Sequence, residues 1–400
     1  MADLRSQISE NIQAPSSKLQ ALTRLRVAIV CDWLAGTGGA ERVVLEMHRI
    51  FPEAPIYTSQ YDRDPKIWYG DRWFEDADVR TGWLQALPKS IKKFLPVLRA
   101  WYFSRLKLDD YDLVISISGA EAKYVKPKGL HISYCHSPTH YYWLRYNEYL
   151  ERPGFGVLSP LAKIGLKLLV GPMRRWDYKA AQRPDYFIAN SKHIKSEIKK
   201  YYGRDSEVVY PPVDIERFAP FSQPAAKRHS FVTAGRQTPY KRIDLAVEAA
   251  TAENVPLVVI GNGPEHRRLK HLAGRNVTFL TRVGDHQIAE YFGSAKAFIY
   301  PTNIEDFGIT GVEAMAAGTP VVAFKAGGPA EYVTPTAGIL FDEQTVDSLR
   351  KALAEGEHKS FNHQKIQELA SRFSAKNFRQ NANQVIKQLI KMGKKETTNG

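Results

Sequence analysis

Arg26-Val-Ala-Ile-Val-Cys31 is a short apolar run, and the glycine-rich loop Asp32-Trp-Leu-Ala-Gly36-Thr-Gly-Gly39 follows it directly. The run is rich in β-branched residues, which predicts a buried strand of a parallel sheet. An amphipathic pattern then begins near Ala40, with its apolar residues on one helical face: Val43, Val44, Met47 and Ile50. A strand, a loop and a helix in this order predict the first unit of an α/β fold.

Similar units recur in two series along the chain. The first series continues with apolar runs at 112–117, 131–135 and 186–189, and the second has runs at 230–234, 256–260, 277–280, 297–300 and 320–324. Between the series lies Val208-Val-Tyr-Pro-Pro-Val213, whose twin prolines do not fit a central strand or a helix. We interpret this segment as a connection and predict two Rossmann-like domains facing a cleft. Ligands bind in such folds at the carboxyl ends of the strands.

Composition limits the classes of function. The 400 residues allow two or three domains, and 56 Lys+Arg against 42 Asp+Glu give a net charge of +14. This excess indicates an anionic partner: nucleic acid, an anionic membrane surface or a phosphorylated small molecule. Two cysteines make neither a disulfide framework nor a zinc site. The most apolar stretch, 157–173, contains Lys163 and Lys167 and is interrupted by Pro160, so we predict no membrane-spanning helix.

The loop Gly36-Thr-Gly38-Gly39 precedes a predicted helix N-terminus, where free N–H groups attract phosphate. A dinucleotide fingerprint would need a further glycine at position 41, which holds Glu41 instead. Hydride transfer to a dinucleotide therefore loses support. A tight turn without a ligand remains an equal alternative for this loop.

Arg236 and Lys241 follow the first strand of the second series, at the edge where the cleft should open. A guanidinium fork and a lysine point charge together suit a diphosphate. The alternative is a solvated basic loop. His136 ends the run at 131–135, with His140 nearby. A hydrogen-bonded structural histidine is the alternative there.

Glu305-Asp-Phe-Gly308-Ile-Thr-Gly-Val-Glu313 carries two carboxylates eight residues apart. Glu305 lies in a predicted loop and Glu313 in a helix that begins near Thr310, so we expect them to hold different parts of one ligand. Gly308 would allow a ligand close to the backbone at the helix N-terminus. One capping and one solvated carboxylate is the alternative.

Taken in order, these features resemble the retaining nucleotide-sugar glycosyltransferases of family 4, which have the GT-B fold, and among them the bacterial O-antigen mannosyltransferases. The resemblance spans residues 26–389. It rests on Asp32-Trp-Leu with Gly38-Gly-Ala-Glu-Arg42, Tyr134-Cys-His136-Ser-Pro138, Ala189-Asn190-Ser191, Tyr210-Pro-Pro-Val-Asp214, Gly235-Arg236 with Tyr240-Lys241-Arg-Ile-Asp244, Gly261-Asn-Gly-Pro-Glu265, and Glu305 with Glu313-Ala-Met-Ala-Ala-Gly-Thr-Pro-Val321.

The resemblance implies a role for each matching residue. Arg236 and Lys241 would clamp the donor diphosphate in place of a metal, with Gly38 and Gly39 facing it from the first domain. Glu305 would contact the donor sugar and Glu313 the ribose. The remaining implied contacts are the backbone N–H groups of Phe307, Gly308, Ile309 and Thr310 to the phosphates and sugar, Arg282 and Val283 to the base, and His136 near the sugar and acceptor. Gln237 and Thr238 depart from the family, which often has an apolar pair there.

The implied organisation is a loose leader over 1–23, an N-terminal acceptor domain over 24–207, a C-terminal donor domain over 208–372, a helix over 373–390 that crosses back to the first domain, and a tail over 391–400. The implied reaction moves a hexose, with mannose from GDP-mannose favoured, to a glycan acceptor in cell-envelope polysaccharide (lipopolysaccharide) synthesis. No metal or other cofactor is expected. The implied mannosyltransferase, acting on a lipid-diphosphate-linked acceptor, would lie in the cytoplasm, peripheral on the inner face of the cell membrane.

Basic and aromatic residues are interleaved over 83–107, which contains no acidic residue, and again over 160–179. This mixture favours contact with an anionic membrane surface, and a core-facing stripe with snorkelling lysines is the alternative. Two other functions stay open: a nucleotide-sugar epimerase of the same fold, and a basic nucleic-acid-binding protein. The second lacks any recognised nucleic-acid motif, so we expect no nucleic-acid partner.

Overall fold

A computed structural model describes residues 25–64, 68, 73–87, 96–151 and 159–398. Two parallel sheets organise this part of the chain, which confirms the predicted α/β class. The first sheet has the order β3-β2-β1-β4-β5-β6-β7. Its strands are β1 Val27–Cys31, β2 Ile56–Thr58, β3 Val79–Thr81, β4 Leu113–Ser118, β5 Leu130–Cys135, β6 Tyr186–Ala189 and β7 Ser206–Val208.

The second sheet has the order β10-β9-β8-β11-β12-β13 and is also parallel throughout. Its strands are β8 Ser230–Ala234, β9 Leu257–Ile260, β10 Val277–Leu280, β11 Ala295–Tyr300, β12 Val321–Phe324 and β13 Gly338–Phe341. Each sheet reverses its strand order once, beside β1 in the first and beside β8 in the second. The loops after β1 and β8 therefore lie at the switch points where open α/β sheets bind ligands.

Helices cover both faces of each sheet. In the first domain they are α1 Gly39–Ile50, α2 Pro96–Ser104, α3 Tyr146–Glu151, α4 Ser159–Ala181 and α5 Lys192–Tyr202. In the second domain they are α6 Ile215–Phe218, α7 Ile243–Glu253, α8 His266–Leu272, α9 Asp285–Gly293, α10 Ile309–Ala316, α11 Pro329–Tyr332, α12 Val346–His358 and α13 His363–Ser371. Among the described residues, no helix is both long and apolar enough to cross a membrane.

The last helix, α14, spans Ala375–Thr398 and returns to the first domain, as predicted. Phe378, Ala382, Ile386 and Leu389 lie on one of its faces and are buried in the first-domain core against α1. The tail predicted over 391–400 is wrong as far as residue 398, because the helix continues through lysine and glutamate, which are good helix formers. The leader predicted over 1–23 lies outside the described residues.

Candidate functional site in the interdomain cleft

Two walls meet at the switch points. The second-domain wall consists of residues 235–241, which follow β8, and residues 301–313, which follow β11 and enter α10. The first-domain wall consists of residues 32–41 after β1, 119–124 after β4 and 136–145 after β5. All these segments leave the carboxyl ends of central strands. The sequence-predicted site residues lie in these two walls, apart from Arg282 and Val283.

Lys241 and Glu305 form an ion pair in the second-domain wall, with 2.5 Å between Nζ and Oε2. Their side chains are 15% and 17% exposed, so the pair is desolvated but reachable. Arg236 lies exposed beside them at the end of β8. A ligand that joins a phosphate to a sugar would contact Lys241 and Glu305 together, because a hydrogen-bond length separates their charged atoms.

Gln237, which departs from the family pattern, is fully buried and has polar partners. Its Nε2 donates to the Gly261 carbonyl at 2.8 Å, and its Oε1 lies 2.7 Å from Nδ1 of His266. The polar side chain therefore fastens the loop of Arg236 and Lys241 to the glycine-rich turn after β9. An apolar residue would pack here without making these bonds.

The N-terminus of α10 is built around Gly308, whose φ of 88° lies in the left-handed region. A Cβ at this position would come within 2.7 Å of the Tyr300 ring, so only glycine fits. Phe307 is buried, whereas Ile309 and Thr310 are half-buried. Burial raises the pKa of Glu313 inside this helix, while Arg42 and Arg217 oppose that rise.

Gly39 lies where the two walls touch. A Cβ on Gly39 would come within 2.4 Å of Cδ1 of Ile309, at the start of α10. Gly39 therefore faces the segment predicted to bind phosphate, whereas a Cβ on Gly38 would meet Glu41 of its own loop. Glu41 accepts backbone hydrogen bonds from Ala35 and Gly38, so those amides already have a partner. The loop has a built-in carboxylate where a dinucleotide site would have glycine.

His136 follows β5, and burial lowers its pKa to about 4, which leaves the imidazole neutral at ordinary pH. Its Nε2 is buried and has no hydrogen-bond partner among the described atoms. The His136 ring is therefore not a fully hydrogen-bonded structural histidine among the described residues. Asn190 donates to the His136 carbonyl at 2.9 Å and fixes the backbone of the loop.

Arg282 and Val283 follow β10, the edge strand of the second sheet. Arg282 is exposed, and Val283 packs against the second-domain core. A border for a nucleotide base at this position stays a prediction. No group of three or more potential metal ligands occurs among the described residues.

Sequence reasoning did not predict several contacts that join the two domains. His140 Nε2 lies 3.0 Å from Oδ2 of Asp306, and Ser191 Oγ donates to the Asp306 carbonyl at 2.6 Å. Burial opposes the charge of Asp306, yet His140 and Arg145 lower its pKa to about 2. Asp306 lies inside the quoted Glu305–Glu313 stretch, which was the one available signal. Its partners from the first domain are more than a hundred residues away.

Comparison with known families matches both halves of the chain. Residues 37–217 match the model described as Glycosyltransferase Family 4, and residues 214–379 match the one described as Glycosyl transferases group 1. A D-inositol 3-phosphate glycosyltransferase from Kribbella flavida is 32% identical over 207 residues, covering 44% of this chain and 49% of that relative. One from Mycobacteroides abscessus is 27% identical, covering 62% and 64%. The chain thus spans about half the length of the first curated relatives that it matches.

Solved structures share the fold across most of the chain. The lipopolysaccharide outer core galactosyltransferase WaaB is 18% identical with a TM-score of 0.65, covering 90% of this chain and 99% of its own. Anabaena Alr3699/HepE, solved with UDP and glucose, is 18% identical with a TM-score of 0.62, covering 91% and 100%. At this identity the likeness shows the two-domain GT-B fold alone.

Proposed function

Because the chain belongs to the GT-B glycosyltransferases of group 1 and family 4, we propose that it transfers a hexose from a nucleotide sugar to a glycan acceptor with retention of configuration. The observation that carries this proposal is the Lys241–Glu305 ion pair beside the N-terminus of α10. This arrangement puts a cation for phosphate and a carboxylate for sugar hydroxyls side by side at a switch point.

The proposed reaction breaks the bond from the anomeric carbon to the diphosphate and forms a bond to the acceptor oxygen on the same face. The acceptor proton passes to the leaving phosphate oxygen. Negative charge on that phosphate is the main electrostatic demand, and Arg236, Lys241 and the N–H groups of α10 supply fixed positive groups for it. Glu305 would orient the sugar hydroxyls and Glu313 the ribose. His136, being neutral, would contact the sugar or acceptor without adding charge.

We propose mannose from GDP-mannose as the donor group, on the resemblance to O-antigen mannosyltransferases. The fold neighbours widen the set to be tested, since one is named a galactosyltransferase and another was solved with UDP-glucose. Thermal-shift measurements with GDP-mannose, UDP-glucose and UDP-galactose would identify the donor. A transfer assay with EDTA would test the expected independence from a metal. Conversion of the donor without any acceptor would instead indicate an epimerase.

The variants Arg236→Ala and Glu305→Ala test the assigned site, with Lys296→Ala as a control. Lys296 forms an exposed pair with Glu357 at the amino end of β11, opposite the edge that carries the site. We expect both site variants to lose transfer while the control retains it. Transfer at the wild-type rate by both site variants would overturn the assignment.

We also propose that the acceptor is lipid-linked and that the first domain rests on an anionic membrane at the cytoplasmic face. Support comes from the N-terminal half of α4, where an apolar stripe faces outward: Leu161, Ile164, Leu168 and Leu169 are 69%, 57%, 71% and 56% exposed. Lys163 and Lys167 flank this stripe. Such an exposed amphipathic face suits the headgroup region of an anionic bilayer.

The other basic aromatic stretch, 83–107, is described in part. Trp83 and Trp101 are nearly half exposed and pack edge to face, and Arg105 lies 4.7 Å from the Trp101 ring centroid. Residues 88–95, which include three of its lysines, lie outside the described part. Both α2 and α4 pack against the segment Ala122–Tyr124, so the two surfaces occupy one side of the first sheet. Liposome flotation tests the proposal: equal binding to anionic and neutral vesicles would contradict it.

A further inference from the structure

The loop that links β5 to α3 reaches across the cleft and contacts the second domain beside the Lys241–Glu305 pair. The Arg145 guanidinium carbon lies 3.8 Å from the centroid of the Tyr240 ring. Its Nη2 donates to the Ile304 carbonyl at 3.3 Å. Tyr240 immediately precedes Lys241, and Ile304 immediately precedes Glu305. One first-domain side chain thus contacts the chain neighbours of both members of the pair.

The same loop also holds the other side of Glu305. His140 is paired with the Asp306 side chain at 3.0 Å, and the Asp306 carbonyl accepts from Ser191 of the first domain at 2.6 Å. The residues before and after Glu305 are therefore both bonded to the first domain. Within the second domain, the Asn303 amide donates to the Tyr240 carbonyl at 3.1 Å, which links the two segments directly.

The base of the loop is anchored in the first domain. Thr139 Oγ1 and Trp143 Nε1 donate to the buried carboxylate of Asp177 at 2.9 and 2.8 Å. Arg174 donates to the Tyr142 carbonyl at 2.6 Å. Arg145 thus projects from a fixed loop. Desolvation opposes the charge of its half-buried guanidinium, but Asp306 and Glu305 raise its pKa above the usual value. Its planar head both stacks on a ring and donates to a carbonyl, a combination that lysine does not reproduce.

We propose that Arg145 is a positioning residue of the donor site, which aligns the segments of Lys241 and Glu305 only when the first domain is docked on them. This rests on the proposed glycosyl transfer and adds a role for the first domain beyond holding the acceptor. The second domain alone would bind the nucleotide diphosphate, but the pair would be aligned for sugar transfer only in the docked arrangement. Transfer is thereby coupled to exclusion of water from the cleft.

The experiment compares Arg145→Ala and Arg145→Lys with Arg379→Ala. Arg379 is paired with Glu46, away from this contact, and serves as the matched control. Hydrogen exchange of residues 236–241 and 303–306 in the ligand-free protein reports how firmly Arg145 holds these two segments, and it needs no substrate. We expect faster exchange in both segments for Arg145→Ala and unchanged exchange there for the control. Circular dichroism would confirm that each variant is folded, and Tyr240→Leu removes the stacking partner if Arg145→Ala is unfolded.

Kinetics provide the second readout. We expect Arg145→Ala to lower kcat about 100-fold, since a misplacement of about 1 Å costs on that order. The donor KM and the Kd of the free nucleoside diphosphate should change less than about threefold, because second-domain groups bind it. Arg145→Lys should recover part of kcat through its retained charge. Unchanged exchange in both segments, or a kcat equal to that of the control, would overturn the proposal. Absence of transfer by the wild type with every donor would refute the proposed function. The exchange comparison would still show whether Arg145 orders the segments of Lys241 and Glu305.

Discussion

The charged pairs of the two cleft walls differ in exposure and in sequence separation. In the second-domain wall, the side chains of Lys241 and Glu305 are 15% and 17% exposed. Each residue belongs to a short contiguous motif that follows a strand. In the first domain, Lys123 and Asp177 are 2% and 0% exposed and are 2.8 Å apart. In a partly exposed pair, a bound ligand can replace the contact between the two side chains. A fully buried pair is bonded only to protein groups and supports the fold. We therefore expect the second-domain wall to serve recognition and the first-domain pair to support the fold as a scaffold.

The scaffold role of Asp177 is visible in its partners. Besides Lys123, its carboxylate accepts hydrogen bonds from four side chains: Tyr124, Thr139, Trp143 and Tyr202. These donors come from the loops after β4 and β5 and from α5. Asp177 itself lies on α4, so one carboxylate joins that helix to the loop that carries His140 and Arg145. Such a network is stabilising only while every member is satisfied.

The largest effect is expected where the comparison predicts recognition. Lys241→Ala should lower kcat/KM for transfer by about 10³, near 4 kcal/mol of transition-state stabilisation, because it removes a fixed charge from the leaving phosphate. The melting temperature should change little, since Lys241 is partly exposed. Steady-state kinetics and thermal melting measure the two quantities. A variant that kept its activity and lost its stability would place Lys241 in the scaffold instead.

The next effect is expected in the scaffold. Asp177→Ala should reduce the free energy of unfolding by about 3 kcal/mol, because Lys123 is left buried without its counter-charge. Asp205→Ala is the control, as its pair with Lys199 is exposed and should contribute less than about 1 kcal/mol. Urea denaturation of both variants decides the matter. Equal losses in the two variants would contradict a special role for the buried pair.

The sequence predicted most of the second-domain wall because its residues form contiguous motifs between a strand and a helix. Arg236, Lys241, Glu305 and Gly308 are close to a strand end that the apolar pattern identifies. Asp177 had no such signal. It sits among charged residues of a helix, and its donors are scattered between Lys123 and Tyr202, so only tertiary packing reveals that it is buried.

The contacts between the domains could not be predicted from the sequence either. The quoted stretch includes Asp306, but nothing local pairs it with His140, which lies 166 residues away. The predicted tail failed for a different reason, since a polar lysine-rich composition fits an exposed helix as well as an irregular end. Periodicity and motif spacing thus identify elements and strand ends, while pairing across the cleft depends on how the domains dock.

A third prediction concerns the outer face of the first domain, where the exposed apolar side chains of α4 are expected to bind a partner rather than to support the fold. Leu168→Glu with Leu169→Glu should weaken binding to anionic vesicles by about 2 kcal/mol, because two apolar side chains would no longer enter the bilayer. Gln380→Glu with Gln384→Glu adds the same charge on exposed positions of α14 and is the matched control. Vesicle co-sedimentation measures both. Equal weakening by the two double variants would assign the effect to net charge alone.

The smallest effect concerns His131 in β5, a buried group on the scaffold side of the comparison. Its Nε2 lies 2.8 Å from the Ser116 hydroxyl, and burial together with Arg183 and Arg204 lowers its pKa to about 3. In the unfolded chain a histidine titrates near 6.5. The unfolded state therefore takes up the proton first, and the stability from neutral His131 is present above about pH 6.5 and is lost as the pH falls toward 3. Between pH 7 and pH 5.5 this loss should reach about 1 kcal/mol.

Urea denaturation at the two pH values, for the wild type and for His131→Asn, isolates that contribution. The asparagine keeps a polar group near Ser116 but does not titrate, so its loss of stability on acidification should be smaller by about 1 kcal/mol. His271→Asn is the matched control, since His271 is exposed on α8 and its replacement should leave the pH dependence as in the wild type. If His131→Asn and His271→Asn lose the same free energy of unfolding on acidification, protonation of His131 in the unfolded chain is not the cause of the loss. Acid sensitivity would then have to arise elsewhere in the scaffold.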